Sequence, residues 1–518
     1  MSFKIALIRA VNPEVPYQMS MPPLGLGYIA SVLKRDLRGV EISFHQTPEE
    51  ILTVEPDVVM ISSATENWPE SVEYAKRIKA KLDIPIIAGG MHVTALPDTM
   101  PEEMEIGCIS EGEDTALELV ELLRRHGPRV DKLRDIRGIA FRNSDGVLER
   151  TPARPYIDPL DRLPFPDREL LGDQWATPRE VETHLMSSRG CPYVCHFCTA
   201  TSWAKVRYFS PEYTVSEVEW ILNRYHPEII YFFDDLFVGH RKRFREICEI
   251  MQAKGLHRKV RFRTYARVNL VDDELCTLMR DTNFLHCDLG VETNSTAVMK
   301  YYKKTGCSPE KNQKCFDLLA KYGIGAGSNF IFGAPVETLE EMEDTLAFIQ
   351  RNMDKIERVS IGALQAPPGS GVHKEYSEKG LIDNDTFDWH RQINRGGEFR
   401  VGEGGYLMLN ERVAPKEFED FMNRAFALQR EINLRGDLMQ RDREMHRLHE
   451  RLRESERELN TMKGSSAVQL GIGLRQLGRK LIGRNGHANG NGHSNGNGNG
   501  RHADESRRPK TEEIVGPC

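Results

Sequence analysis

The sequence predicts an α/β protein. A doubly wound, Rossmann-like sheet comes first, a partial (β/α)6 TIM-type barrel follows, and a helical extension closes the chain. Three observations predict this. Short apolar runs alternate with helical stretches over residues 1–130 and again over 181–385. A hairpin and a Pro-rich stretch, within 131–180, separate the two series. Beyond about residue 410 the pattern turns helical and charged.

In the first series Phe3–Ile8, Asp57–Ser63, Ile84–Gly90 and Ile106–Gly112 read as buried parallel strands. Leu24–Lys34, Trp68–Leu82 and Asp114–Arg124 carry helical periodicity between them. Open sheets of this kind bind ligands beyond the carboxyl ends of their strands. The expected rim is therefore Met21–Gly25, Ser62–Thr65, Gly89–His92 and Glu111–Glu113. The hairpin turns at Asn143–Gly146, and Pro152–Pro166 reads as an extended linker.

In the second series six strands are expected at Thr183–Ser188, Glu228–Asp234, Val260–Ala266, Phe284–Glu292, Gly325–Gly333 and Val359–Gln365. Barrels of this type place functional residues at the carboxyl ends of their strands. Residues 386–435 read as a helical accessory region. In 436–484, Leu438, Met445, Leu452 and Leu459 recur at an interval of seven, a short coiled-coil seam suited to self-association. Lys463–Arg484 follows with five basic residues and no acidic ones, and with Leu470, Leu474, Leu477 and Leu481 on one helical face. Such a helix either lies on an anionic membrane or packs on its own domain. Residues 485–518 are of low complexity and read as disordered.

At 518 residues the chain exceeds one ordinary core and suggests roughly two to four domains. A net charge of −7 argues against a general nucleic-acid binder. No apolar run is long enough to span a bilayer, and MSFKIALIRA has no secretory pattern. The expected location is the cytoplasm, with peripheral membrane contact through the basic helix. Ten cysteines are too few for a disulfide scaffold. Seven are scattered, and the other three fall within SSRGCPYVCHFCTA.

That triplet, Cys191, Cys195 and Cys198, has C-x3-C-x2-C spacing just after an expected strand. Soft thiolates suit iron–sulfur centres, and ordinary electron-transfer clusters take four of them. Three leave one iron open to a substrate. The rival is a Cys3His zinc site completed by His196, although the loop is tight for a tetrahedron.

With Phe197 just before its last cysteine, the triplet resembles the radical S-adenosylmethionine superfamily. The resemblance implies a four-iron–four-sulfur cluster whose open iron chelates S-adenosylmethionine, with Phe197 near the adenine. It also implies that Asp234 and Asp235 end the second strand near the methionine amino group. Arg267 and Glu292 would contact other polar groups of that ligand. FIFGAPVET (Phe330–Thr338) and APPGSGV (Ala366–Val372) resemble later signatures of the same barrel. Singly, each has a plainer reading as a rim ion pair or a turn.

Met21–Leu33, Ala88–Pro97 and Ser110–Asp114 resemble the cobalamin-binding domain that precedes many of these enzymes. This implies cobalamin as a further cofactor, approached by Gly89, Gly90, Glu111 and Gly112. Ser62 and Thr65 would bond its tail or cap the following helix. The Asp-x-His-x-x-Gly motif is absent, and neither His45 nor His92 supplies it.

The family resemblance implies methylation of an unactivated carbon in a small-molecule or lipid-like substrate. An electron donor such as flavodoxin or ferredoxin would serve it. Non-methylating radical cyclisation, coupling, rearrangement or sulfur insertion is the alternative. A redox- or cobalamin-responsive binding protein is an alternative of another class.

Overall fold

The computed structural model describes residues 2–12, 21–172, 182–202, 205–392 and 398–464. Two units divide after Arg441. The first contains both sheets. The second, where described, is helix as far as Gly464.

The N-terminal sheet has seven strands: β1 (Phe3–Arg9), β2 (Val40–His45), β3 (Val58–Ser62), β4 (Ile86–Gly89), β5 (Ile106–Cys108), β6 (Ile139–Arg142) and β7 (Leu148–Arg150). Their order is β2-β1-β3-β4-β5-β6-β7. The first five are parallel, and β6 and β7 join antiparallel. Strand order reverses between β1 and β3, the crevice where such folds bind ligands. Helices α1 (Leu24–Asp36) and α3 (Glu113–His126) pack together on one face, and α2 (Trp68–Lys79) is on the other.

Two expectations are corrected here. β2 is a strand that the apolar pattern did not mark, because Glu41 and Ser43 dilute an exposed edge. The hairpin at Asn143–Gly146 forms, but it extends the first sheet rather than belonging to a linker. Its Ile139, Ala140 and Phe141 are fully buried, so the sheet unit runs to Arg150. The following Pro-rich stretch is extended as expected, yet it docks Ile157, Leu160 and Leu163 onto Tyr28, Val32 and Phe209.

The barrel is a six-stranded parallel sheet, β8 (Glu182–Leu185), β11 (Ile229–Phe232), β12 (Arg261–Arg267), β13 (Phe284–Glu292), β14 (Gly325–Phe332) and β15 (Ile356–Ala363), in sequential order. Between β8 and β11 lies a two-stranded ribbon, β9 (Ser188–Arg189) with β10 (Arg207–Tyr208). The expected strand to Ser188 therefore stops at Leu185. Local chemistry starts each barrel helix. Ser210 caps α4 (Pro211–Tyr225), and α5 (Arg241–Ala253) follows β11. Asp272 caps α6 (Asp273–Asp281), and Ser308 caps α7 (Pro309–Lys321). Thr338 and Glu341 form a reciprocal capping box on α8 (Leu339–Arg351). Beneath the sheet Phe232, Phe237, Phe244, Phe262 and Phe284 stack into one aromatic core.

Of the two edges of the open barrel, β8 is one and strand β15 is the other. A short α9 (Gly371–Glu378) follows it, and α10 (Pro415–Gly464) then covers it. Asn433 Oδ1 accepts from Val359 N at 2.7 Å, and its Nδ2 donates to Val359 O at 3.0 Å. Gln429 Oε1 accepts from Ile361 N. Two side-chain amides thus stand in for a seventh strand and blunt an edge that would otherwise pair with another chain. The expected helical region 386–435 is corrected accordingly. Where described, residues 386–414 are a single short turn and irregular chain, and helix begins at Pro415. The seam positions Leu438, Met445 and Leu452 are exposed on α10. Of the basic amphipathic segment, residues 465–484 lie outside the described residues, as do 485–518. No helix among the described residues is long and apolar enough to cross a membrane.

Candidate active site

Cys191, Cys195 and Cys198 lie on the loop between β9 and β10, all partly exposed and none disulfide-bonded. Backbone bonds pin this loop to the barrel mouth. His196 N donates to Tyr302 O at 3.0 Å, and Val372 N donates to His196 O at 3.0 Å. The Phe197 ring packs edge-on against Tyr302 at 5.0 Å. Burial pushes the Cys198 thiol up to about 12.

Arg267 ends β12 beneath the loop, with its guanidinium carbon 3.8 Å from the centre of the Tyr193 ring. Its Nη1 donates to Thr305 O at 2.8 Å, while Nε and Nη2 are buried without a protein partner. Two unpaired donors of a buried cation fit an anionic ligand. Glu292, at the end of β13 with φ +68°, lies 3.4 Å from Lys304 Nζ. Burial raises its carboxyl despite that cation.

The two aspartates separate. Asp234 is fully buried and accepts from Ser187 N at 3.0 Å, Ser187 Oγ at 3.0 Å and Ser188 Oγ. It braces the chain that enters the cysteine loop. Asp235 accepts from Gly190 N at 3.2 Å and faces the cavity described next.

A cavity of about 570 Å³ runs from the cysteine loop into the N-terminal sheet. On one side Gly190, Cys198 and Asp235 line it. On the other Ser62, Gly89, Gly90, Glu111 and Gly112 do, together with Gly25 and Leu119 of the flanking helices. It lies at the carboxyl ends of β3, β4 and β5, as the sheet predicts. Gly90 has φ +101°, and a Cβ there would lie 2.2 Å from Ser63 O, so only glycine holds this rim. Thr65 is not among the lining residues; its Oγ1 lies 3.2 Å from Nδ1 of the fully buried His92.

Sequence reasoning missed Arg189 and Arg207, and placed Glu113 on the rim without a partner. Arg189 Nη1 lies 2.7 Å from Glu111 Oε1 and its Nη2 2.5 Å from Glu113 Oε1. Arg207 Nη1 lies 2.8 Å from Glu111 Oε2. Burial alone would raise the Glu111 carboxyl, but Arg207 and Arg189 hold it below the usual range. No local motif marks these pairs, since about 80 residues separate Glu111 from Arg189 along the chain. His196, the fourth ligand of the rival zinc reading, turns its Nε2 to Glu375 Oε2 at 3.2 Å. Among the described residues no three His, Cys, Asp or Glu side chains converge to hold a single metal ion.

A thiol loop, a strand-order crevice and one cavity joining them define a two-cofactor enzyme. Residues 185–349 match the radical SAM superfamily, and residues 15–120 match the B12 binding domain. An uncharacterized methyltransferase of Pyrococcus horikoshii is 29% identical over 64% of this chain and 73% of its own. The anaerobic magnesium-protoporphyrin IX monomethyl ester cyclase of Rubrivivax gelatinosus is 28% identical over 78% of this chain and 74% of its own. The fold is that of the radical S-adenosylmethionine methyltransferase TsrM from Kitasatospora setae, solved with cobalamin and a [4Fe-4S] cluster. The TM-score is 0.61 at 17% identity, covering 73% of this chain and 78% of that one. Together the two matches make the chain a radical SAM enzyme that carries a B12 binding domain. The radical SAM match implies S-adenosylmethionine and a four-iron–four-sulfur cluster, and the B12 binding match implies cobalamin.

Proposed function

We propose that this enzyme methylates an unactivated carbon of a small-molecule or lipid-like substrate. The observation that carries the reading is the single cavity lined both by Cys198 and by the glycine rim of the sheet. When bound, the cofactors supply a 5′-deoxyadenosyl radical and a cobalt-held methyl group. The protein positions and shields them.

Cys191, Cys195 and Cys198 would hold the cluster. Arg267 would offer its unpaired Nε and Nη2 to an anionic group of S-adenosylmethionine, Glu292 and Asp235 would add acceptors, and Phe197 would lie near the adenine. Asp234 acts one step back, through Ser187 and Ser188. Ser62, Gly89, Gly90 and Gly112, which line the sheet crevice, would cradle the cobalamin. Thr65 orients the rim through His92. Tyr28, Ile29, Met60 and Leu119 give the cavity an apolar lining that excludes water from a reactive intermediate.

The test is anaerobic reconstitution with cobalamin, a reductant and S-adenosylmethionine labelled in its methyl group. Label appearing in an accepted substrate is the expected result. Deoxyadenosine without label transfer removes the methylation step. The cyclase relative favours a second reading, non-methylating radical chemistry on the same scaffold, and that outcome would select it. A low-potential carrier such as flavodoxin or ferredoxin supplies the electron in a cytoplasmic setting. The exposed Leu438, Met445 and Leu452 favour self-association, which sedimentation of a Leu438→Glu variant checks. Peripheral membrane contact rests on the segment Lys463–Arg484. Liposome co-sedimentation of the full chain against one truncated at Lys463 tests it, and equal pelleting removes it.

A further inference from the structure

The cysteine loop is closed at its base by the β9–β10 ribbon, in which Arg189 and Arg207 face each other directly. One arginine leads the chain into the loop and the other takes it out. Both reach the same carboxylate. Glu111 accepts from Arg189 Nη1 at 2.7 Å and from Arg207 Nη1 at 2.9 and 2.8 Å. Its Oε2 also accepts from Ile157 N at 2.7 Å. Arg189 extends its second nitrogen to Glu113 at 2.5 Å. Glu111 and Arg207 are almost fully buried. Glu111 follows β5 in the segment matching the B12 binding domain, whereas both arginines lie in the segment matching the radical SAM superfamily.

From this geometry we infer that Glu111 is a positioning residue: a clamp that fixes the cysteine loop over the cavity, rather than a ligand of the cobalamin. Every close polar contact of its carboxylate is already made by the two arginines and Ile157 N. A carboxylate so engaged is a poor candidate for a further ligand bond. It is well placed to set the separation between whatever the loop holds and whatever the sheet crevice holds. The inference rests on the two-cofactor reading only for its second test below.

The first test needs no cofactor. Hydrogen exchange is measured on the full chain and on Glu111→Gln, which keeps the volume and removes the charge. Phe209 N, bonded to Ser187 O at 3.0 Å, and the ribbon amides report on the base of the loop. They are expected to exchange on the order of tenfold faster, as losing charge-assisted bonds implies. Amides of β12 and β13 should be unchanged. Unchanged ribbon exchange overturns the clamp. If Glu111→Gln opens the whole barrel, Arg207→Lys takes its place and faces the same criterion.

The second test loads both proteins with cobalamin and cluster, reduces them, and reads the magnetic coupling between cobalt(II) and the cluster. The clamp predicts altered coupling with cobalamin affinity held within about threefold, and partial return of the coupling in Glu111→Asp. Lost cobalamin affinity with the ribbon still protected makes Glu111 a ligand and overturns the inference. A wild-type chain that takes up no cobalamin refutes the two-cofactor reading instead. The exchange result then decides the clamp alone.

Discussion

His196 Nε2 stands 3.2 Å from Glu375 Oε2, and Tyr301 OH reaches the same oxygen at 2.9 Å. The imidazole inside the cysteine loop is thereby held against α9. A Cβ on Gly371 would fall 2.2 Å from its Nδ1. This brace makes His196 part of the loop's mounting. Glu375→Ala should weaken iron retention by less than the roughly 10–100-fold cost of losing a metal ligand's own partner, because His196 braces the loop without binding iron. Glu375→Gln should retain most of it. Iron release to a chelator over time measures both.

The cysteines themselves should behave as a set. Alanine at Cys191, Cys195 or Cys198 should each abolish bound iron and sulfide, and deoxyadenosine formation with them, a larger loss than the roughly 10–100-fold of an outer-shell change. Cys315→Ala removes a thiol buried against Phe316 and its neighbours in the barrel core and should leave the cluster in place. Iron and sulfide assays on the purified variants separate the two groups.

The cavity can be filled without touching the loop. Gly25 lines it, yet a Cβ there meets nothing within 4 Å. Gly25→Leu should abolish cobalamin uptake while the cluster assembles normally. Stability should rise by up to about 1 kcal/mol, because glycine is the weaker helix former. Gly90→Ala should instead destabilise the sheet by about 2–4 kcal/mol, from positive φ and the contact with Ser63 O. Cobalamin absorbance and denaturant melts distinguish the two.

Acid should loosen the first sheet through His92. Burial, with a smaller contribution from His373, lowers its pKa from the usual 6.5 to about 3. The ring stacks on Trp68 at 4.3 Å and bonds Thr65 and Thr99. Because the folded value lies below the unfolded one, the neutral ring's contribution is complete above pH 6.5. It is lost as pH falls toward 3. At pH 4.5 the loss should approach about 2–3 kcal/mol, from two units of pH at roughly 1.4 kcal/mol each. His92→Gln should remove that part of the slope. Urea melts between pH 4.5 and 7.5 test the sign and the size.

Much of this molecule was legible in its sequence. The six barrel strands follow from apolar runs of the right length and spacing. The cysteine loop follows from three thiols in eight residues. The parallel strands of the first sheet were visible because each is buried on both faces and reads as a continuous apolar run. Strand β2 was not, because an exposed edge half-filled with polar residues leaves no such signal. The hairpin's place at the far edge of that sheet is a pairing decision, which local turn chemistry cannot state.

The sequence by itself determined the chemistry at the loop and the architecture that presents it, because thiol spacing and hydrophobic period are local properties. Tertiary structure alone decided which of the chosen polar residues face the cavity. Asp235 does, whereas Asp234 braces the chain behind it. Glu111 lies on the rim but is taken by two arginines about 80 and 100 residues away along the chain. Ion pairing and burial depend on which distant strands end side by side. Only the folded chain sets that, and here it joins the cysteine loop to the sheet crevice through Glu111 and Glu113.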